Sequence, residues 1–144
     1  MAGWISPYLI VIVAAWLSAH VVKYIIASIK GNRTDFIHQL FVSGGMPSSH
    51  AAVSVSLLTV IALRDGTDTA LFGLATLFTL IVCYDAVKVR RSSGEQGEAI
   101  AQLIKESDSK VRLPRAAKGH TPVEVAVGAV FGVLIGCIVF LATK

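Results

Sequence analysis

The run TPVEVAVGAVFGVLIGCIVFLA, residues 121–142, decides the fold. Its 22 residues carry one charge, Glu124, close to the start. Wound as an α-helix at about 1.5 Å per residue it reaches about 33 Å, enough to cross the roughly 30 Å hydrocarbon layer of a bilayer. Working outward, three further apolar runs cover Trp4–Ala27, Ser48–Leu63 and Thr69–Val87. The second is short and rich in Ser and Ala, the composition of a helix packed on protein rather than facing lipid. The sequence therefore predicts an all-α, polytopic membrane bundle of about four transmembrane helices, a single integral membrane domain over residues 1–144.

Composition agrees. Of 144 residues, 54% are hydrophobic and 15% charged, with a mean hydropathy of +0.70. A soluble domain of this size carries about 25% charge, so a soluble, disulfide-stapled or disordered chain is excluded. Cys83 and Cys137 lie inside apolar runs, where a thiol acts as a small hydrophobe. The first run has no basic residue before it and no small-residue cleavage site after it, so it reads as a retained span rather than a signal peptide.

Charge placement says more than the net charge of +4. The segments 23–47 and 88–120 hold 11 of the 13 Lys and Arg residues, and four crossings place both segments on one side. By the positive-inside rule that side is the cytoplasm, with both termini outside. Anionic head groups are the nearer partner for these cations, and nucleic acid is not expected. Within the second basic segment, Ser92 or Ser93 followed by Glu95 and Gln96 resembles a helix start. Ala99, Ile100, Leu103 and Ile104 then form an apolar stripe, so a short interfacial helix is expected in this connection.

Two segments can do chemistry. Gly44-Gly45-Met46-Pro47-Ser48-Ser49-His50 opens the second span. Its glycines permit a tight turn, Pro47 suits the first helical position, and Ser48 and Ser49 place hydroxyls beside free N–H groups. A helix N-terminus so equipped favours a phosphate, with His50 in the first turn to move a proton. An ordinary turn with a serine cap is the plainer reading. Gly119-His120-Thr121-Pro122-Val123-Glu124 opens the fourth span. Four residues apart on a helix, His120 and Glu124 share a face, and a carboxylate-backed imidazole with one free nitrogen is a nucleophile or base. The plainer reading makes His120 a cap and Glu124 a carboxylate that suits the helix dipole. Gly128, Gly132 and Gly136 continue the stripe as a groove for close helix approach, through which the chain is expected to form a homo-oligomer.

Both spans start from the basic face, so topology alone brings His50 and His120, 70 residues apart, to one membrane surface. Lys23, Lys30, Arg33, Arg90, Arg91 and Arg115 are the candidate phosphate ligands there. Asp85, Glu95, Glu98 and Glu124 offer an alternative, a carboxylate cage for Mg²⁺, although their spacing has no specific pattern. No other metal or cofactor is expected.

These residues give the chain a resemblance to the type 2 phosphatidic acid phosphatase superfamily, closest to its small divergent branch of acid phosphatase or vanadium-dependent haloperoxidase-related membrane proteins. Pro47-Ser48-Ser49-His50 is similar to a motif that reads Pro-Ser-Gly-His in the superfamily. Arg115, His120 and Glu124 are similar to a motif of Ser-Arg, five residues, His, three residues and Asp, with one residue fewer before the histidine and Glu in place of Asp. The segment Asp85–Arg91 resembles one characteristic of the divergent branch. Lys23 and Arg33 lie further apart than the superfamily's Lys–Arg motif, and Lys23–Lys30 has its spacing but ends in Lys.

The resemblance implies metal-independent hydrolysis of a phosphomonoester or pyrophosphate through a phosphohistidine. His120 would be the nucleophile and Glu124 its orienting partner, with His50 the acid and base. Lys23 or Lys30, Arg33 and Arg115, with Ser48 and Ser49, would hold the phosphate. A lipid phosphate in the cell membrane, processed at the cytoplasmic face, is the expected substrate. A non-catalytic protein that binds anionic lipid or a partner in the same pocket is the alternative, and a small channel or carrier a third.

Overall fold

The computed structural model describes residues 6–31, 45–107, 109, 111–114 and 119–144. The described residues form α1 (Pro7–Ile29), α2 (Ser49–Asp65), α3 (Ala70–Tyr84), a π-helical turn (Asp85–Val89), α4 (Arg90–Glu106) and α5 (Pro122–Ala142). The all-α bundle expected from hydropathy is what forms. Three helical stretches have the length and apolarity to cross a membrane: α1, the continuous Ala70–Glu106, and α5. At 17 residues α2 is shorter, about 25 Å by its rise, and lies at the centre, packed on α1, α3 and α5.

Local chemistry sets the helix ends. Pro7 occupies the first turn of α1, where its missing N–H costs nothing, and Gly31, with φ of 78°, follows the end. Thr69 caps α3 by accepting the Phe72 N–H at 3.2 Å. Thr121 caps α5 in a full capping box: Thr121 Oγ1 accepts the Glu124 N–H at 3.3 Å, and Glu124 Oε2 accepts the Thr121 N–H at 2.9 Å. At α2 the sequence expectation shifts by two residues. Ser48 is the cap, extended and accepting the Ala51 N–H, so Pro47 precedes the cap instead of opening the helix.

Between helices in lipid no hydrophobic force operates, so close packing and hydrogen bonds must hold the bundle. The contact of α2 with α5 shows how. A Cβ at Gly128 would lie 2.6 Å from the Ser48 carbonyl oxygen, one at Gly132 2.5 Å from that of Ala52, and one at Gly136 2.9 Å from that of Ser56. Both helices advance in steps of four residues, hence they run parallel, backbone against backbone, from a common end. The glycine stripe expected to receive a second copy is thus covered by α2 of the same chain. The α2 hydroxyls bond their own helix, Ser56 Oγ to the Val53 carbonyl at 2.9 Å and Thr59 Oγ1 to that of Val55 at 2.8 Å, so they add no unmet polar group. On α1 the inward stripe is Val11, Ala15, Ala19 and Lys23, again every fourth residue.

The far end is clasped by side chains. Tyr8 donates to both carboxylate oxygens of Asp65 at 2.9 and 2.7 Å, and Arg64 Nη2 donates to the carbonyl and, at 2.9 Å, the hydroxyl of Thr143. The starts of α2 and α5 therefore lie at the opposite end of the bundle.

A helix forms in the third connection as expected, α4, with Ile100 and Leu103 exposed, but it has no start of its own. Helix runs unbroken from Ala70 to Glu106, and Ser92 and Ser93 are interior positions. With neither proline nor glycine between Tyr84 and Ser93, nothing stops the chain winding on.

Candidate functional site

His120 sits immediately before the α5 cap and is 4% exposed. Its Nδ1 lies 3.4 Å from Glu124 Oε2, the oxygen that also accepts the Thr121 N–H. One carboxylate therefore closes the capping box and faces the imidazole, which turns Nε2 toward the other side of the ring. The separation is long beside the 2.7–2.9 Å or so of a charge-assisted bond. Burial pushes the His120 pKa below its usual value, and the nearby Lys23 charge pushes the same way. The Glu124 bond and charge oppose them, and Arg90 adds a smaller lowering. The backbone is held as well: the His120 N–H donates to the Ala86 carbonyl at 3.0 Å. Gly119 makes this approach possible, because a Cβ there would come within 2.4 Å of the Arg91 backbone.

At the α2 start, Gly45 takes a φ of 82°, which favours glycine, and Pro47, Ser48 and Ser49 are buried. Ser48 does not present its groups to a ligand as expected. Its N–H donates to the Glu124 carbonyl at 3.1 Å, its carbonyl accepts the Ala52 N–H at 3.0 Å, and its Oγ caps Ala51. It is a joint between α2 and α5. His50, two residues on, is exposed, with Arg90, His120, Lys23 and Asp85 in electrostatic reach. The two histidines are thus neighbours, as the topology argument anticipates.

The expected cations separate into groups. Lys23 is 4% exposed on the inward stripe of α1 and acts electrostatically on both Glu124 and His120. Lys30, at the α1 end, is exposed and seven residues further along. Arg90 Nε pairs with Asp85 Oδ2 at 2.6 Å and acts on both histidines. Arg91 pairs with Glu95 at 3.1 Å on the exposed side of α4. Arg33 and Arg115 lie outside the described residues.

The four carboxylates named for Mg²⁺ do not converge. Asp85 is bound to Arg90, Glu95 to Arg91 and Glu124 to His120, while Glu98 is exposed. Among the described residues no group of three or more His, Cys, Asp or Glu comes together as a cation site.

Two features escape sequence reasoning. His20 is buried one turn from Lys23, with Nδ1 2.8 Å from the Trp16 carbonyl and its ring 4.6 Å from that of Trp16. A histidine within an apolar run was its only signal. The Asp85–Arg90 pair had none, because five residues is not a spacing at which α-helical side chains meet.

Comparison with known proteins adds three findings. Residues 5–135 match a family described as the divergent PAP2 family. A Bacillus subtilis (strain 168) protein described as the uncharacterized membrane protein YuiD is 35% identical over 137 residues, covering 85% of this chain and 86% of that one. No solved structure matches significantly.

Proposed function

The chain belongs to the divergent PAP2 family, and on that premise we propose that it is a membrane lipid phosphate phosphatase working through a phosphohistidine. The observation that carries this reading is the gathering of His120 with Glu124, His50, Lys23 and Arg90 at the one end of the bundle from which α2 and α5 both start.

His120 Nε2 attacks phosphorus while the bond to the leaving oxygen breaks, and His50 gives that oxygen its proton. The phosphoryl group is then on His120, and Glu124 balances the charge on the ring. His50, now neutral, takes a proton from water as the water oxygen attacks phosphorus. The P–N bond breaks, inorganic phosphate leaves and both histidines return to their starting states. Lys23 and Arg90, with Ser49 at the first turn of α2, neutralise the phosphate oxygens as charge redistributes. Arg33 and Arg115 join this set by resemblance. The apolar outer faces of α1, α3 and α5 leave the substrate tail in the bilayer, which favours a phosphatidate, phosphatidylglycerol phosphate or polyprenyl phosphate over a soluble ester. By the positive-inside rule, the distribution of Lys and Arg favours the cytoplasmic face of the cell membrane for this site.

The test is phosphate release by purified protein from a panel of these lipids in mixed micelles. Wild type turns over at least one, and His120→Ala and His50→Ala abolish turnover. Activity surviving in both variants refutes the mechanism. Binding without turnover in the wild type favours the second reading, a lipid-binding protein that uses the same cations. A C-terminal reporter active only in the cytoplasm refutes the orientation.

A further inference from the structure

The geometry points to the π turn Asp85–Val89 as the device that positions the site: it frees the Ala86 carbonyl to hold the His120 backbone and lets Asp85 aim the Arg90 guanidinium at the phosphate. The phosphate part rests on the function proposed above.

In an α-helix the Arg90 N–H would donate to the carbonyl of Ala86, four residues back. Here it donates to the carbonyl of Asp85, five back. The wider turn skips the Ala86 carbonyl, which accepts the His120 N–H at 3.0 Å instead. A buried carbonyl left without a partner is costly, so the skipped group and the His120 amide each answer the other's need. Ala86 is 2% exposed and packs with Ala51 and Val125, one residue from α2 and one from α5. The turn is therefore anchored where the two histidine-bearing helices begin.

The side chains follow from the same turn. Five residues of regular α-helix separate two side chains by about 140° around the axis, too far to pair. The π turn brings position i+5 over position i, and Asp85 Oδ2 meets Arg90 Nε at 2.6 Å. Arg90 bonds through Nε, which leaves its terminal nitrogens for an anion. Arg90 and Asp85 are both within electrostatic reach of His50. Asp85 is thus a positioning residue, acting through Arg90.

Two variants of the full-length protein in micelles separate positioning from folding. Deleting Lys88, an exposed residue of the turn, closes it to an α-turn, and Lys88→Ala keeps the length as control. Asp85→Asn removes the tether without changing shape. Hydrogen exchange at the His120 amide is expected to be at least about 10-fold faster in the deletion than in wild type or Lys88→Ala, with helix content unchanged. The dissociation constant for inorganic phosphate is expected to rise by about 10- to 100-fold in Asp85→Asn, the scale on which a misaligned orienting partner acts.

An unchanged amide in the deletion overturns the proposal. So does tighter phosphate binding in Asp85→Asn, since that is what loss of a nearby negative charge alone would produce, and so does a wild type that binds no inorganic phosphate. If wild type binds phosphate but hydrolyses no lipid phosphate, the phosphatase reading falls, and the amide and phosphate measurements still decide the role of the turn.

Discussion

Replacing Gly128 by Ala tests the link between the helix seam and the site. The added Cβ would lie 2.6 Å from the Ser48 carbonyl oxygen, 3.1 Å from its nitrogen and 3.2 Å from the Ala51 Cβ. Ordinary contact begins near 3.4 Å, so the backbones must part by about 0.8 Å (3.4 − 2.6). Ser48 cannot turn aside, because its N–H is held by Glu124 and its carbonyl by Ala52. Overpacking of this kind costs about 1–3 kcal/mol, and Ala regains roughly 1 kcal/mol of helix propensity, for a net loss of up to about 2 kcal/mol. A shift near 1 Å at a reacting centre lowers turnover by about 10²-fold. Gly73→Ala is the control: nothing lies within 4 Å of its added Cβ, so only the propensity gain remains. Gly132→Ala makes an equally close contact one turn further from the histidines, and should lose similar stability with a smaller loss of turnover. Unfolding in mixed SDS micelles followed by circular dichroism gives the stability, and phosphate release gives the rate. A Gly128→Ala protein with wild-type stability and turnover would refute the reasoning, as would a Gly73→Ala protein destabilised to the same extent.

Three further outcomes follow from the site. In the proposed mechanism the attacking form of His120 is neutral, and its pKa is lowered, so the acid limb of kcat/KM that reports loss of this form should lie below pH 6.5. Glu124→Gln removes an influence that raises this pKa and should move the acid limb lower still, while Lys23→Met removes one that lowers it and should move the limb up; opposite shifts in a pH profile would refute the charge assignment. Thr121→Ala breaks the capping box and should cost about 1 kcal/mol in the same unfolding assay, with turnover reduced because Glu124 loses its anchor; a stability equal to wild type would show that the cap is unimportant. Arg90→Ala should weaken inorganic phosphate binding far more than Arg91→Ala, whose side chain faces solvent with Glu95; equal effects in a binding titration would refute that distinction.

Hydropathy and charge placement carry the bundle because lipid is a severe solvent: a helix that crosses it must be apolar, and loops that stay out of it are free to be charged. The glycines at 128, 132 and 136 were legible as a packing face for the same reason, but periodicity does not say which helix lies against it. That answer required the parallel start of α2 and α5. His120 and Glu124 were readable because four residues is a helical spacing. The π turn was not, since Asp85–Val89 contains nothing incompatible with an α-helix, and what distinguishes it is a carbonyl claimed by a residue 34 positions away. Ser92 and Glu95 misled for a related reason: capping residues are also tolerated inside a helix already under way.

The seam between α2 and α5 has one more implication. A contact that repeats every four residues on both partners fits almost as well one notch up or down, a slide of about 6 Å along the axis. Such a slip would carry His120 away from His50 while leaving the packed surfaces nearly as content as before. What removes the degeneracy is aperiodic: the Ser48–Glu124 bond at the site end and the Arg64–Thr143 clasp at the other. The glycines let the helices touch, and these end contacts act as detents that choose the one alignment in which the two imidazoles come within electrostatic reach of each other.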